Sequence, residues 1–257
     1  MLFSSLTDEY RFNSQKEFYT FNSLLECNAV FEELNKKENK LDLGFAFDGD
    51  CDRCIAVDEF GREVDGDKIM YLLAKKLKRE GSLEKDTLVT TIMSNSGLTK
   101  ALKQVGIANV QTKVGDRFVF ERMQNEGYSL GGEQSGHVII KKYATTGDGI
   151  LTALMVTEEV LETKSTLSTL VAPVKLLPQK TRNVRVTNKA AVVEDEVVQA
   201  KFKEVNETIG DNGRALLRQS GTEPVVRIML ELPTIHECDE YIEKIYNVIK
   251  KRGYVCE

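Results

Sequence analysis

Residues 47–57 read FDGDCDRCIAV, which sets Asp48, Asp50 and Asp52 at alternate positions with Arg53 directly behind the last. In an extended loop, side chains two residues apart point the same way, so the three carboxylates converge on one hard cation while Gly49 permits a tight turn. Carboxylates held this close raise one another's pKa, and a divalent ion relieves the repulsion. Other chemistries compete for the same residues. With Asp48 counted first, Glu59 falls at the twelfth position of a calcium loop. The sixth position, however, is Arg53 where the sharp turn needs glycine, and the flanks FAF and CIAV read as strands, not helices. Cys51 and Cys54 form a C-x-x-C, yet Cys54 begins a strand-like run instead of opening a helix, and no second cysteine pair completes a zinc site. A polar turn that binds nothing is the remaining alternative.

Three further stretches carry side chains suited to binding. Residues 131–138, GGEQSGHV, follow two glycines with Glu133, Gln134, Ser135 and His137. They describe an exposed loop that approaches a ligand closely and offers acceptors and donors, as sugar hydroxyls require. A glycine-rich hairpin with incidental polar residues is the bland counterpart, and His137 reads best as a satisfied structural imidazole. Residues 218–227, RQSGTEPVVR, supply hydroxyls and backbone N–H groups at Ser220, Gly221 and Thr222, bracketed by Arg218 and Arg227. That is a concave anion site, most naturally for phosphate. Residues 114–119, VGDRFV, open a helix, with Asp116 as N-cap and Arg117 either a solvated charge or a group facing the same cleft.

The elements that must position these stretches follow from punctuation and periodicity. Residues 1–20 show no clear pattern, and 21–40 carry apolar positions at helical spacing. LGFAF and CIAVD flank the aspartates as strands, and KIMYLLAKKLKREG is an amphipathic helix closed by Gly81. TLVTTIM is β-branched and continuous, a strand buried on both faces. LTKALKQVG, NVQTKV, RFVFERMQNEG and GHVII then alternate helix and strand, and a helix covers about 149–162. Alternation of this kind predicts βαβ units and a mainly parallel sheet. APVKLLPQKTR, with two of the four prolines, reads as a linker. Beyond it come a strand over 182–187, one helix over 192–210, two strands and a final helix, a small α+β unit whose sequential strands look antiparallel.

The whole chain sets the outer limits. A net charge of −5 and a pI near 5.4 argue against affinity built on nucleic-acid phosphates. No apolar run approaches the roughly 18 residues of a membrane span, and the N-terminus lacks the pattern of a secretory signal. Five scattered cysteines, an odd number, fit reduced thiols. A cytoplasmic protein that binds neither membrane nor nucleic acid is the expectation.

In order, FDGDCDR, VGDRFV, GGEQSGH and RQSGTEP resemble the α-D-phosphohexomutases, from about Leu41 to the C-terminus. GGEQSGH and TTGDG lean towards the phosphoglucosamine mutase branch over the phosphoglucomutase and phosphomannomutase branch. The resemblance implies mixed, mainly parallel α/β domains followed by a small α+β C-terminal domain. Residues 1–64 would be a second-domain remnant with the metal loop, 65–174 a third α/β domain with the sugar loop, and 175–257 the phosphate-binding domain. It implies Mg²⁺ on Asp48, Asp50 and Asp52, and Arg53 and Arg117 in the active site. Glu133 and Ser135 would hold sugar hydroxyls, and Arg218, Ser220, Gly221, Thr222 and Arg227 would grip the phosphate that is not transferred. The implied reaction interconverts glucosamine-6-phosphate and glucosamine-1-phosphate through a phosphoserine. Hexose or hexosamine phosphates are the ligands it implies.

Three departures qualify it. The family's T-A-S-H-N-P-type phosphoserine segment does not occur here, Cys51 occupies a position where the family has a small, glycine-like residue, and Gln219 stands where proline is usual. The first implies that activity needs a separate N-terminal mutase half. A non-catalytic phosphosugar-binding remnant is the competing expectation.

Overall fold

The computed structural model describes residues 2–5 and 41–256, with Thr222 excepted. The helix expected over 21–40 lies outside the described residues. Two compact units divide the chain, Met1–Lys175 and Leu176–Glu257.

In the first unit, β1 (Leu2–Ser5) runs parallel to β2 (Leu43–Phe47), so the first twenty residues hold a strand that their composition did not announce. β2 pairs antiparallel with β3 (Cys54–Asp58), and β3 with β4 (Glu63–Val64). All five residues of β2 are buried, as an uninterrupted apolar LGFAF requires. The β2–β3 turn is the aspartate stretch. α1 (Gly66–Arg79) starts at Asp65, whose carboxylate accepts the Lys68 N–H, and ends with Lys76, Lys78 and Arg79 in its last turn, complementing the helix dipole.

β5 (Thr87–Thr91), α2 (Ser96–Gln104), β6 (Ala108–Thr112), α3 (Asp116–Glu126), β7 (Leu130–Gly132) and β8 (Val138–Ile140) form a second sheet of order β6-β5-β7-β8. β5 is parallel to β6 and β7 and wholly buried, whereas β7 and β8 make an antiparallel hairpin whose turn lies in the GGEQSGHV stretch. α4 (Gly149–Thr163) and α5 (Leu167–Val171) complete the unit. α4 is joined to α1 by charge: the buried Lys76 ammonium lies 2.8 to 3.1 Å from Glu80, Glu158 and Glu162, and Arg79 forks onto Glu159 at 2.6 and 2.7 Å. Lys76 therefore stays charged, its pKa pushed up by those carboxylates against the opposing effect of burial.

The second unit is a three-stranded antiparallel sheet of order β10-β11-β9, from β9 (Gln179–Arg185), β10 (Arg214–Gln219) and β11 (Val225–Glu231). α6 (Lys189–Glu194), α7 (Glu196–Ile209) and α8 (Ile235–Lys251) accompany it. Val184, Val198, Ile228, Ile242 and Ile245 belong to a core cluster of its own. β9 starts earlier than the expected 182, which shortens the linker. The single helix expected over 192–210 is two. Asp195 sits between them in extended backbone (φ −64°, ψ 119°) and accepts the N–H groups of Val197 and Val198, so a side-chain cap ends one helix and begins the next.

Candidate functional site

Asp48, Asp50 and Asp52 each present a carboxylate oxygen, and these oxygens lie within 4.8 Å of one another. Convergence was expected; the way it is reached was not. The segment is a tight turn and not an extended loop: the Cys51 N–H donates to the Asp48 carbonyl at 3.1 Å, and Cys51, not Gly49, takes the left-handed conformation (φ 58°). The turn is held from three sides. The Arg53 N–H donates to Asp48 Oδ1 at 3.1 Å, while its guanidinium Nε stands 3.7 Å from Asp48 and 3.9 Å from Asp52. His137 Nδ1 lies 3.0 Å from Asp52 Oδ2, and the Gly147 N–H donates to His137 Nε2 at 3.0 Å. Because Nε2 accepts, the proton of the neutral ring sits on Nδ1 and is donated to Asp52. The Gly149 N–H donates to the Cys51 carbonyl at 2.9 Å. The approach is so close that a Cβ at Gly147 would meet the Asp52 carbonyl at 2.5 Å, and one at Gly149 the Arg53 carbonyl at 2.5 Å.

This donor set fits Mg²⁺. It is all oxygen, as a hard cation requires, and the three oxygens are close enough to share one ion. The calcium-loop alternative fails in geometry too, since Glu59 is bonded to the Ser168 N–H and hydroxyl. So does the redox alternative. Cys54 is fully buried, and burial pushes its thiol up, away from the thiolate that redox chemistry needs.

In the sugar-loop stretch, Gly131 and Gly132 belong to β7 and are buried, contrary to the expected exposed loop. A Cβ on Gly131 would meet Met123 Sδ at 2.6 Å and Val119 at 2.8 Å, so these glycines serve packing. The turn itself is 133–137, with Ser135 exposed and Glu133 and Gln134 half-buried. Glu133 Oε1 accepts the Gly115 N–H at 3.0 Å, tying this turn to the start of α3. Gly115, not Asp116, is the N-cap there, and Asp116 lies in the first turn. Arg117 projects into solvent from α3 and pairs with Glu121 at 2.7 Å, its own i+4 neighbour, so the structure does not bring it to the aspartates. The Cys54 N–H donates to the Gly136 carbonyl at 3.1 Å, and Arg53 bridges His137. The aspartate turn and the 133–137 turn are thus one connected assembly.

The anion stretch is the β10–β11 hairpin of the second unit. Arg218 and Arg227 stand directly opposite in its register. Like charges so placed repel, and partial burial followed by the Arg227 charge lowers the Arg218 pKa. Arg227 donates to Glu223 at 2.7 Å, but its Nε is buried with no hydrogen-bond partner among the described residues. Two facing guanidiniums and an unmatched buried donor are relieved by an anion. Ser220 is buried, its N–H donating to the Val225 carbonyl and its hydroxyl oxygen accepting the Glu223 N–H, so Ser220 shapes the loop and its own amide is committed. Gly221 is exposed. Thr222 lies outside the described residues. Reading the sequence missed Lys189, whose ammonium donates to the Ser220 and Glu223 carbonyls at 2.8 and 3.1 Å; a lysine about thirty residues away in sequence gives no local signal. It also missed the bracing by Gly147 and Gly149, although the glycines of TTGDG were visible.

Comparison with known proteins agrees with this layout. Residues 65–176 match the family model for phosphoglucomutase/phosphomannomutase alpha/beta/alpha domain III, and residues 182–248 that for the C-terminal domain. The chain is 54% identical over 216 residues to a phosphoglucosamine mutase of Anoxybacillus flavithermus, covering 84% of this chain and 48% of the relative. It is 53% identical over 214 residues to that of Bacillus subtilis, covering 83% and 48%. The chain thus spans about half the length of these relatives. Among solved structures, Aspergillus fumigatus N-acetylphosphoglucosamine mutase in complex with GlcNAc-6P and magnesium superposes with a TM-score of 0.69 at 21% identity, over 87% of this chain and 53% of that one. A phosphoglucomutase/phosphomannomutase family protein of Burkholderia thailandensis gives 0.70 at 21% identity, over 90% and 50%. Those two likenesses speak to fold alone. The chain belongs to the phosphoglucomutase/phosphomannomutase family of phosphohexomutases, carrying its third α/β/α domain and its C-terminal domain.

Proposed function

We propose that this chain supplies the metal, sugar and phosphate loops of a phosphoglucosamine mutase, working with an N-terminal half that brings the phosphoserine. The observation that carries this reading is the convergence of the Asp48, Asp50 and Asp52 oxygens within 4.8 Å in a chain 54% identical to a phosphoglucosamine mutase. Residues 1–64 then act as the end of a preceding domain, 65–174 as the sugar-binding domain and 175–257 as the phosphate-binding one.

Asp48, Asp50 and Asp52 hold Mg²⁺, the ion named with the Aspergillus structure, which when bound neutralises charge on a transferring phosphoryl group. Arg53 lies against two of those carboxylates and adds positive charge at the same place. Glu133 and Ser135 receive sugar hydroxyls in either orientation of the substrate. Arg218, Gly221, Thr222 and Arg227 hold the phosphate that stays, on a loop shaped by Ser220. Arg117 serves this site only by leaving Glu121.

The test is to co-express the chain with an N-terminal phosphoglucosamine mutase half and assay conversion of glucosamine-6-phosphate to glucosamine-1-phosphate. Glucose and mannose phosphates run beside it distinguish the other branch. Turnover that requires both pieces and Mg²⁺ is expected; a stable pair with no turnover defeats the proposal. A non-catalytic phosphosugar-binding role is the second reading, favoured by the unmatched Arg227 Nε. It predicts that the chain alone binds glucosamine-6-phosphate by calorimetry, and that Arg218→Ala weakens binding roughly tenfold or more, the scale of a charged hydrogen bond. No measurable affinity in the unaltered chain sinks it.

A further inference from the structure

The peptide between Ser220 and Gly221 shows how the phosphate loop is held ready. A trans peptide is planar, and its C=O and N–H point in opposite directions. The Ser220 carbonyl receives the Lys189 ammonium at 2.8 Å, so the Gly221 N–H points away from Lys189. Gly221 borders open space, since a Cβ added there would meet nothing within 4 Å. The same ammonium takes the Glu223 carbonyl at 3.1 Å, and the residue that follows is Pro224, which has no N–H. One cation thus gathers the loop's two inward carbonyls across a span of four residues. The Glu223 N–H on the Ser220 hydroxyl and Arg227 on the Glu223 carboxylate close the loop from its other sides.

We infer that Lys189 is a positioning residue of the phosphate loop, which by binding the Ser220 and Glu223 carbonyls turns the Gly221 N–H outward for the phosphate of the substrate. The inference rests on the proposed role of this loop as the phosphate site. Lys189 reaches the loop from the start of α6, outside the hairpin, and on the side opposite the Gly221 N–H. Backbone amides aimed before the ligand arrives bind anions more tightly than amides that must first turn.

The full chain is titrated with inorganic phosphate and with glucosamine-6-phosphate while the amide resonances of Gly221 and its neighbours are followed by NMR. The unaltered chain is expected to show a saturable shift at Gly221. Lys189→Gln is expected to bind roughly tenfold more weakly, the scale of one charge-assisted hydrogen bond, with the Gly221 resonance displaced before ligand is added and little change in melting temperature. Lys189→Arg, which keeps the charge and several donors, is expected to recover most of the affinity. Repeating the titration at high salt separates positioning from bulk charge, because a long-range charge effect fades with screening while a fixed loop geometry does not. Equal binding by Lys189→Gln, or a deficit that disappears at high salt, overturns the inference. No phosphate binding by the unaltered chain overturns the phosphate-site reading beneath it. If Lys189→Gln unfolds, Lys189→Arg alone decides: unchanged affinity with an unchanged Gly221 shift agrees, and lost affinity in a folded variant contradicts.

Discussion

Cys51 holds a left-handed conformation in the middle of the aspartate turn (φ 58°). A side chain in that region costs about 1–2 kcal/mol, and glycine adopts it freely at an entropic cost of about 0.5–1 kcal/mol. The first effect is the larger. Cys51→Gly is therefore expected to stabilise the chain by about 0.5–1 kcal/mol in denaturant unfolding, whereas Cys51→Ala, which keeps its Cβ, brings no such gain. The convergence of these three carboxylates was legible in sequence because acidic side chains at alternate positions can face the same way. Their backbone was not, because a turn and an extended segment can both bring alternate residues together. Hydrogen bonds from Arg53 and Gly149 select the turn, and Gly149 lies almost a hundred residues away.

At the scale of elements, the long buried strands and amphipathic helices could be read directly, since LGFAF, TLVTT and the α1 stripe each have one period. Boundaries set by side-chain hydrogen bonds could not. Asp195 looked like one more charge on a helix, yet it caps α7 and also receives Arg252 at 2.8 Å and the Tyr254 hydroxyl at 2.9 Å. Burial opposes its ionisation, but the Val198 N–H, Arg252, Tyr254 and the Val197 N–H outweigh that and hold its carboxyl at about 2. A folded pKa below the unfolded value of about 3.9 means that the charged group stabilises the fold above that value. This stability is lost as pH falls towards about 2. Asp195→Asn keeps a capping side chain and removes the charge. Urea unfolding is expected to show the variant weaker than the unaltered chain at pH 7 and nearly equal to it at pH 2. An equal deficit at both pH values would mean that the charge of Asp195 contributes nothing.

At the scale of the molecule, Leu176–Glu257 has its own sheet, three helices and its own apolar cluster. Domains of this size can fold alone when their core is closed. The isolated piece 176–257 is expected to unfold cooperatively by circular dichroism and to retain the anion response at Gly221. A molten or aggregated fragment would show that its stability depends on the rest of the chain. The two compact units meet at Lys175 and Leu176, inside the stretch with two prolines that reads as a linker, and β9 begins before its end because Gln179, Lys180 and Thr181 pair with β11.

The contacts around the aspartate turn also constrain how this molecule can diverge. Gly136 meets the backbone of Cys54, Gly147 that of Asp52 together with the His137 ring, and Gly149 that of Arg53 and Cys51, each closer than any side chain would allow. All three glycines therefore press on the one short segment 51–54, and a methyl group added to any of them would displace that segment's backbone. Drift at one of these glycines is accepted only with a matching change in that segment. A descendant in which the three aspartates no longer had to converge would lose that coupling, and bulk at positions 136, 147 and 149 would be its earliest mark.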